Sequence, residues 1–359
     1  MCQPGRVTTP PQPGSTPRTT SSAGTSEQPD VCVVGLGLIG GSLLRAAVAA
    51  GRTAWGFNRS PEPVRAAADD GYDVTDDLTA ALRRAEEAEA LIVIAVPLPA
   101  VDAVAAAIAE HAPHCPVTDV VSVKEPVADA LAAHGLGPRY VGGHPMAGTA
   151  ESGWDAGDGG LFRDAVWVVT VDDGADPDVW TQVAHLAADC GAMVVPADSV
   201  EHDAAVARVS HLPHVLAEVL ATVGADNQLA LSLAAGSFRD GTRVAGTDPL
   251  LVRAMCEGNA DALVETLDET LGLLTEARDA LAAGAGIADL AGRGHVARRE
   301  YEHSRRSRID DLQPGTPGWI EQLRDAGRAG GVWHAEGPGG DEVGADGDPA
   351  AERGTDESA

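Results

Sequence analysis

The run Val31-Cys32-Val33-Val34-Gly35-Leu36-Gly37-Leu38-Ile39-Gly40 constrains the fold more than any other stretch of the chain. It sets an apolar strand candidate against a Gly-x-Gly-x-x-Gly turn, and an Ala/Leu-rich helical stretch follows. Each glycine has its own reason: Gly35 permits a tight turn, Gly37 lets another group approach the backbone, and Gly40 lets the helix pack close to the strand. The free N–H groups at the start of such a helix attract an anion. The pattern predicts a βαβ unit that holds a dinucleotide pyrophosphate at Gly35, Leu36, Gly37, Leu38, Ile39 and Gly40.

The second strand candidate ends Trp55-Gly56-Phe57-Asn58-Arg59-Ser60, where a carboxylate usually takes the ribose hydroxyls of NAD. Asn58 carries no charge, while Arg59 and Ser60 suit a 2′-phosphate, so the cofactor is NADP or NAD. Val96, at the end of a later strand candidate, completes the cofactor-facing set.

Short apolar runs continue at Leu91–Val96, Val117–Val121, Tyr140–Gly142, Val166–Val171 and Met193–Pro196, with helical stretches between several of them. This alternation predicts an α/β, doubly wound Rossmann domain with a mostly parallel sheet over residues 30–197. Beyond it the strand signals stop. Helical stretches at Glu201–Val223, Asn227–Ala235, Asp248–Glu257, Asp261–Ala283 and Ala288–Ile309 predict an all-helical C-terminal domain over 198–312. Leu263, Leu267, Leu271 and Leu274 form one apolar stripe, read as intramolecular core in preference to a dimer seam. Residues 1–29 are rich in Pro, Thr, Ser and Gly, and 313–359 in Gly, Pro and acidic residues, so both are expected to be disordered tails.

A formal charge of −29 and an aromatic content of 3% argue against nucleic acid as a partner. No apolar run spans a bilayer and no signal-peptide core opens the chain, so no membrane partner and a cytoplasmic location are expected. Cys2, Cys32, Cys115, Cys190 and Cys256 are scattered, which indicates neither a disulfide framework nor a thiolate metal site. Lys124 is the sole lysine.

Further clusters carry the chemistry. Ser122-Val123-Lys124 ends one strand candidate, and Gly143-His144-Pro145-Met146-Ala147-Gly148 forms a Gly/Pro/Ala turn after the strand candidate at Arg139–Gly142. Ser210-His211-Leu212-Pro213-His214 lies on the first helix of the second domain, and Gly236-Ser237-Phe238-Arg239-Asp240-Gly241-Thr242-Arg243 follows a helix there. A neutral imidazole at His144 suits proton acceptance near neutral pH. His211 and His214 lack a carboxylate or thiolate at a supporting spacing, so no metal site is expected.

In their order and spacing these motifs resemble the prephenate/arogenate dehydrogenase family of tyrosine biosynthesis, over roughly residues 30–310. The resemblance implies oxidative decarboxylation of a small-molecule substrate, prephenate or, alternatively, arogenate, in which hydride leaves for the nicotinamide, carbon dioxide departs and the ring aromatises. It makes His144 the acceptor of the hydroxyl proton and Ser122 a hydrogen-bonding partner of that hydroxyl. Arg243 becomes the grip on a substrate carboxylate, and Ser210 and His214 contacts to the side chain, with His211 their neighbour on the helix. Arg239 corresponds to a basic position offered across a homodimer interface formed by the helical domain. One departure is Ala150, where some prephenate-using members carry an acidic residue; Glu151 follows it. More distant readings are a β-hydroxyacid or imine-type dehydrogenase and a non-catalytic cofactor sensor. The hydroxyacid version needs a lysine on the helical domain, and Lys124 lies before it.

Overall fold

Apolar runs without polar alternation, such as Val31–Val34 and Leu91–Ile94, are what a sheet covered on both faces requires, and both are completely buried. Their side chains divide by parity. Val31 and Val33 enter one hydrophobic core, and Cys32 and Val34 enter the other. The computed structural model describes residues 28–149, 151–310 and 312–334; Ala150, residues 1–27 and the acidic segment 335–359 lie outside the described residues.

The first half runs β1 (Val31–Val34), α1 (Leu38–Ala49), β2 (Ala54–Phe57), α2 (Pro61–Asp69), β3 (Val74–Thr75), α3 (Leu78–Ala88), β4 (Leu91–Ile94), α4 (Val101–His111), β5 (Val117–Asp119) and α5 (Glu125–Ala133). These strands form an all-parallel sheet of order β3-β2-β1-β4-β5. The order reverses between β1 and β4, which puts a topological switch point at the carboxyl ends of those strands. This is the expected Rossmann architecture.

Beyond residue 139 the strands belong to a second, mixed sheet. It comprises β6 (Gly143–Pro145), β7 (Val166–Thr170), α6 (Pro177–Asp189) packed against it, and β8 (Met193–Ala197). β6 is antiparallel to β7, and β7 is parallel to β8. A bridge between Val117 and Tyr140 joins the two sheets. His144 therefore lies on a strand, not in a turn after one. The strand begins at Gly143, three residues later than the apolar run suggested, because Gly143 and His144 pair with Val169 and Val168.

The helical region follows as α7 (Ser199–Val206), a π-helical turn (Ala207–His211), α8 (Leu212–Ala225), α9 (Gln228–Ser232), α10 (Gly236–Thr242), α11 (Pro249–Gly258), α12 (Ala260–Ala282) and α13 (Ala288–His303). The single helix expected over Glu201–Val223 is thus broken. Pro213 lacks the N–H that would bond the carbonyl of residue 209, and its ring crowds that carbonyl, so the ladder widens into the π turn.

The expected Leu stripe is core for only half its length. Leu263 is buried and Leu267 half-buried, but Leu271 and Leu274 are 57% and 54% exposed. Helix α13 buries none of its residues.

The C-terminal tail expected from Gln313 is folded as far as His334. The chain leaves α13 earlier than expected, forms β9 (Ser307–Ile309), then α14 (Trp319–Arg328) and β10 (Gly331–Trp333), and so returns to the second sheet. The helices at 199–303 are consequently an excursion between strands of that sheet. Gly/Pro-rich composition hid a small apolar set. Trp319 and Trp333 stack edgewise on Trp180, with centroids 6.2 Å and 5.4 Å away, and Leu323 is fully buried. Arg324 anchors α14 by donating to the Val171 carbonyl at 2.6 Å and pairing with Asp198 at 3.1 Å.

Candidate active site

The glycine turn has the form a pyrophosphate cradle needs. Gly35 has φ +111°, which L side chains avoid, and a Cβ on Gly35 or Gly40 would overlap the Ala95 carbonyl or the Gly35 carbonyl. Around Gly37, by contrast, there is open space. Gly37 also precedes α1 without a side-chain cap, and the first turn of α1 holds no acidic residue, so its N–H groups stay available to an anion. Leu38 and Ile39 are half-exposed there.

Leu36 plays a different part from its neighbours. Its side chain is buried, and its N–H donates to Asn58 Oδ1 at 3.1 Å, while Asn58 Nδ2 donates to the Ser60 carbonyl at 3.2 Å. Asn58 thus braces the turn with both ends of its amide. Arg59 and Ser60 are exposed, and Ser60 caps no backbone group of α2. Val96, half-buried, follows β4 on the other side of the switch point and lies against Gly35.

His144 stands beside the carboxyl end of β5, the same edge of the fold. It is 8% exposed, and its Nδ1 meets His202 Nε2 at 2.8 Å. His202 Nδ1 in turn meets Asp203 Oδ1 at 2.7 Å. Burial alone would raise the Asp203 pKa, but His202 and the N–H groups of Glu125 and Lys124 hold it below the usual value. The carboxylate can only accept, so the proton positions follow from that end. His202 donates from Nδ1 and accepts at Nε2, His144 donates from Nδ1, and His144 Nε2 is left with a lone pair. Nε2 has no partner among the described residues and is not sealed from solvent. Burial, then His202, then Lys124 push the His144 pKa well below that of an ordinary imidazole. The arrangement can take a proton from a ligand hydroxyl.

Ser122 is half-buried in the bend after β5 and makes no hydrogen bond among the described residues, leaving its hydroxyl available near the same edge. Ser210 sits in the π turn, 4.0 Å from Met255 Sδ. His214 opens α8 with a buried, unpartnered Nδ1; burial lowers its pKa, Glu218 opposes this, and Arg243 adds to it. That electrostatic link brings Arg243 to His214, although Arg243 itself is exposed. His211 is completely buried, with Nδ1 held by Asn259 at 3.1 Å and a pKa pushed down to about 4 by burial. Its Nε2 is buried with no partner among the described residues. Arg239 is 82% exposed, with Asp240 at 3.6 Å, and makes no hydrogen bond to the other candidate residues among the described residues. Glu151 is exposed. Among the described residues no group of three or more His, Cys, Asp or Glu could hold a metal ion.

His202 and Asp203 were not legible as site residues. They lie on the helical stretch ahead of Ser210, and nothing in a one-dimensional pattern shows that His202 pairs with a strand residue 58 positions earlier.

Comparison with known proteins matches two family models to this chain. The prephenate dehydrogenase nucleotide-binding domain covers residues 45–196, and the prephenate dehydrogenase dimerization domain covers residues 198–287. A cyclohexadienyl dehydrogenase from Zymomonas mobilis is 34% identical over 271 residues, 71% of this chain and 89% of that protein. Among solved structures, a candidate prephenate dehydrogenase from Corynebacterium glutamicum is 52% identical with a TM-score of 0.80, covering 85% of this chain and 98% of that one. An arogenate dehydrogenase from Synechocystis is 29% identical with a TM-score of 0.66, covering 76% of this chain and 99% of that one.

Proposed function

Because the chain belongs to the prephenate dehydrogenase family, we propose that it catalyses the oxidative decarboxylation of prephenate to 4-hydroxyphenylpyruvate in tyrosine biosynthesis, with His144 as the proton acceptor. The observation that carries this reading is the His144–His202–Asp203 chain, which leaves His144 Nε2 with a free lone pair at the nucleotide-binding edge.

NAD or NADP, bound through the Gly35–Gly40 turn, supplies the hydride acceptor. An aqueous-like environment would let His144 share its lone pair with protons, whereas its buried ring stays neutral and takes the hydroxyl proton as that oxygen becomes carbonyl-like. Ser122 bonds the same hydroxyl and sets its direction. Loss of carbon dioxide then aromatises the ring, which makes the step effectively irreversible. Free, exposed Arg59 and Ser60 favour a 2′-phosphate and hence NADP, with Asn58 contributing by bracing the turn.

Arg243 is proposed to grip a substrate carboxylate, with Ser210 and His214 lining the side-chain end. Arg243→Ala is expected to raise KM for substrate by roughly 10–100-fold, as for a lost charge-assisted contact of about 1.5–3 kcal/mol, and steady-state kinetics check it. An unchanged KM would remove Arg243 from the site.

The functional test is an assay of the purified protein with NAD⁺ or NADP⁺ and either prephenate or arogenate, following formation of reduced cofactor. Turnover with neither substrate sinks the reading. Arogenate is the second reading, favoured by Ala150 at the position where some prephenate-using members are acidic.

We further propose a homodimer through the helical region. Leu271, Leu274 and Leu281 of α12, with Val219 and Val223 of α8, are large apolar side chains that the described residues leave exposed. Dimerisation would let Arg239 reach the partner's site; a monomer in sedimentation equilibrium contradicts both. No described helix is long and apolar enough to cross a membrane. The free thiols of Cys32, Cys115, Cys190 and Cys256 suit a reducing cytoplasm, which recovery outside the cytosolic fraction would overturn.

A further inference from the structure

Lys124 is the one lysine in a chain whose 25 basic side chains are otherwise all arginine. Where arginine is the default cation, a lone lysine marks a place that a guanidinium does not suit. The structure supplies the reason. The Lys124 side chain is 0% exposed and its ammonium reaches two acceptors, the Asp119 carboxylate and the Gly143 carbonyl, the latter at 2.6 Å. A compact ammonium on a flexible stem fits a closed pocket of this kind, whereas a planar guanidinium with donors in a fixed fork does not.

Asp119 also accepts from the Tyr140 hydroxyl at 2.7 Å, the Val121 N–H at 2.7 Å and the Gly143 N–H at 3.4 Å. A carboxylate with so many donors is an anion, and its neighbour is accordingly the cation of a buried pair. Burial pulls the Lys124 pKa down from its ordinary value, while Asp119, then Asp203, oppose that.

The position of this pair is what gives it a role. The Gly143 carbonyl belongs to the same rigid peptide plane as the His144 nitrogen, so the ammonium fixes the plane from which His144 departs. At its other end, the backbone N–H of Lys124 donates to both carboxylate oxygens of Asp203, at 2.9 Å and 3.1 Å. One residue thus holds the strand that carries His144 and the carboxylate that ends the imidazole chain.

We propose that Lys124 is a positioning residue for His144, aligning both ends of the His144–His202–Asp203 chain from a pocket that only a compact cation fits. The proposal rests on the reading of His144 as proton acceptor. The groups that act on His144 are His202 from α7, His211 from the π turn and Lys124 from the β5–α5 segment; behind them Asp203 bonds His202, Asp119 pairs with Lys124, and Tyr140 donates to Asp119. Among them Lys124 is the cation, and its charge opposes protonation of the ring. Removing it therefore moves the titration of His144 to higher pH.

The test compares Lys124→Met, Lys124→Arg and the pair Lys124→Met with Asp119→Asn, which avoids leaving Asp119 buried and unpaired if the single variant does not fold. The expected result for Lys124→Met is a fall in kcat of about 10²-fold, the scale of a misplacement near 1 Å, with KM for substrate and cofactor little changed. The acid limb of kcat/KM and the histidine nitrogen NMR titration of His144 in the free enzyme both move to higher pH, and Lys124→Arg does not restore turnover. Wild-type kcat with an unmoved His144 titration in a folded Lys124→Met or double variant overturns the proposal, as does full activity of Lys124→Arg. If the unaltered enzyme turns over neither cyclohexadienyl substrate, the functional reading fails, and the NMR titration still decides the role of Lys124.

Discussion

Turnover of prephenate falls by about 10²–10⁴-fold when His144 is replaced by asparagine, with affinity for the cofactor nearly unchanged. The asparagine amide can still donate to His202, so the packing around Val168 and His202 survives, but it offers no lone pair basic enough to take a proton. The pH profile adds a second check. His144 works as a base only when neutral, and burial, His202 and Lys124 keep its pKa well below the ordinary 6.5. The sign is therefore that activity persists at pH 6.5, where an unperturbed imidazole is half protonated, and is lost only as the pH falls through the depressed value. In His144→Asn that acid limb disappears from kcat/KM. Near-normal turnover in the variant would take His144 out of the mechanism.

The parts of this molecule that were legible in the sequence are those where a local rule forces the residue type. Gly35, Gly37 and Gly40 are demanded by backbone geometry, and the buried runs at β1 and β4 by coverage on both faces, so the nucleotide-binding half reads directly from pattern. His144 and Ser122 were nominated from their local motifs, and the strand-end reading failed for His144, which pairs with Val168 within β6, while Ser122 lies in the bend after β5. His202 and Asp203 were not nominated, since their meaning lies in contacts with residues 58 and 79 positions away. The folded segment at 313–334 was missed for a different reason. Its Gly and Pro content resembles that of a tail, and only Trp319, Leu323 and Trp333, docking on Trp180, reveal that it completes a sheet. For the leucines of α12, periodicity picked out a stripe that is core at Leu263 and Leu267 but exposed at Leu271 and Leu274, since periodicity alone does not say what covers a face.

Asparagine at position 203 tests the proton positions directly. Asp203 serves two sets of donors at once, His202 on one side and the N–H groups of Lys124 and Glu125, at the start of α5, on the other. Asparagine has only one acceptor oxygen, and the two backbone N–H groups cannot turn away, so that oxygen faces α5 and the NH₂ faces His202 Nδ1. His202 must then accept at Nδ1 and carry its proton on Nε2. That proton points at His144 Nδ1, which becomes an acceptor in its turn, and the His144 proton moves to Nε2, where the lone pair should be. The expected result is a fall in kcat of about 10²–10⁴-fold with KM little changed, comparable to the tautomer reversal caused by the same exchange in a Ser-His-Asp triad. Because the helix α5 contacts survive, the thermal midpoint shifts by only a few degrees, on the scale of about 1 kcal/mol for one weakened cap. Nitrogen NMR of the histidines reads the tautomers independently of turnover. Wild-type kcat with the His144 proton still on Nδ1 would show that Asp203 does not set the direction of the chain.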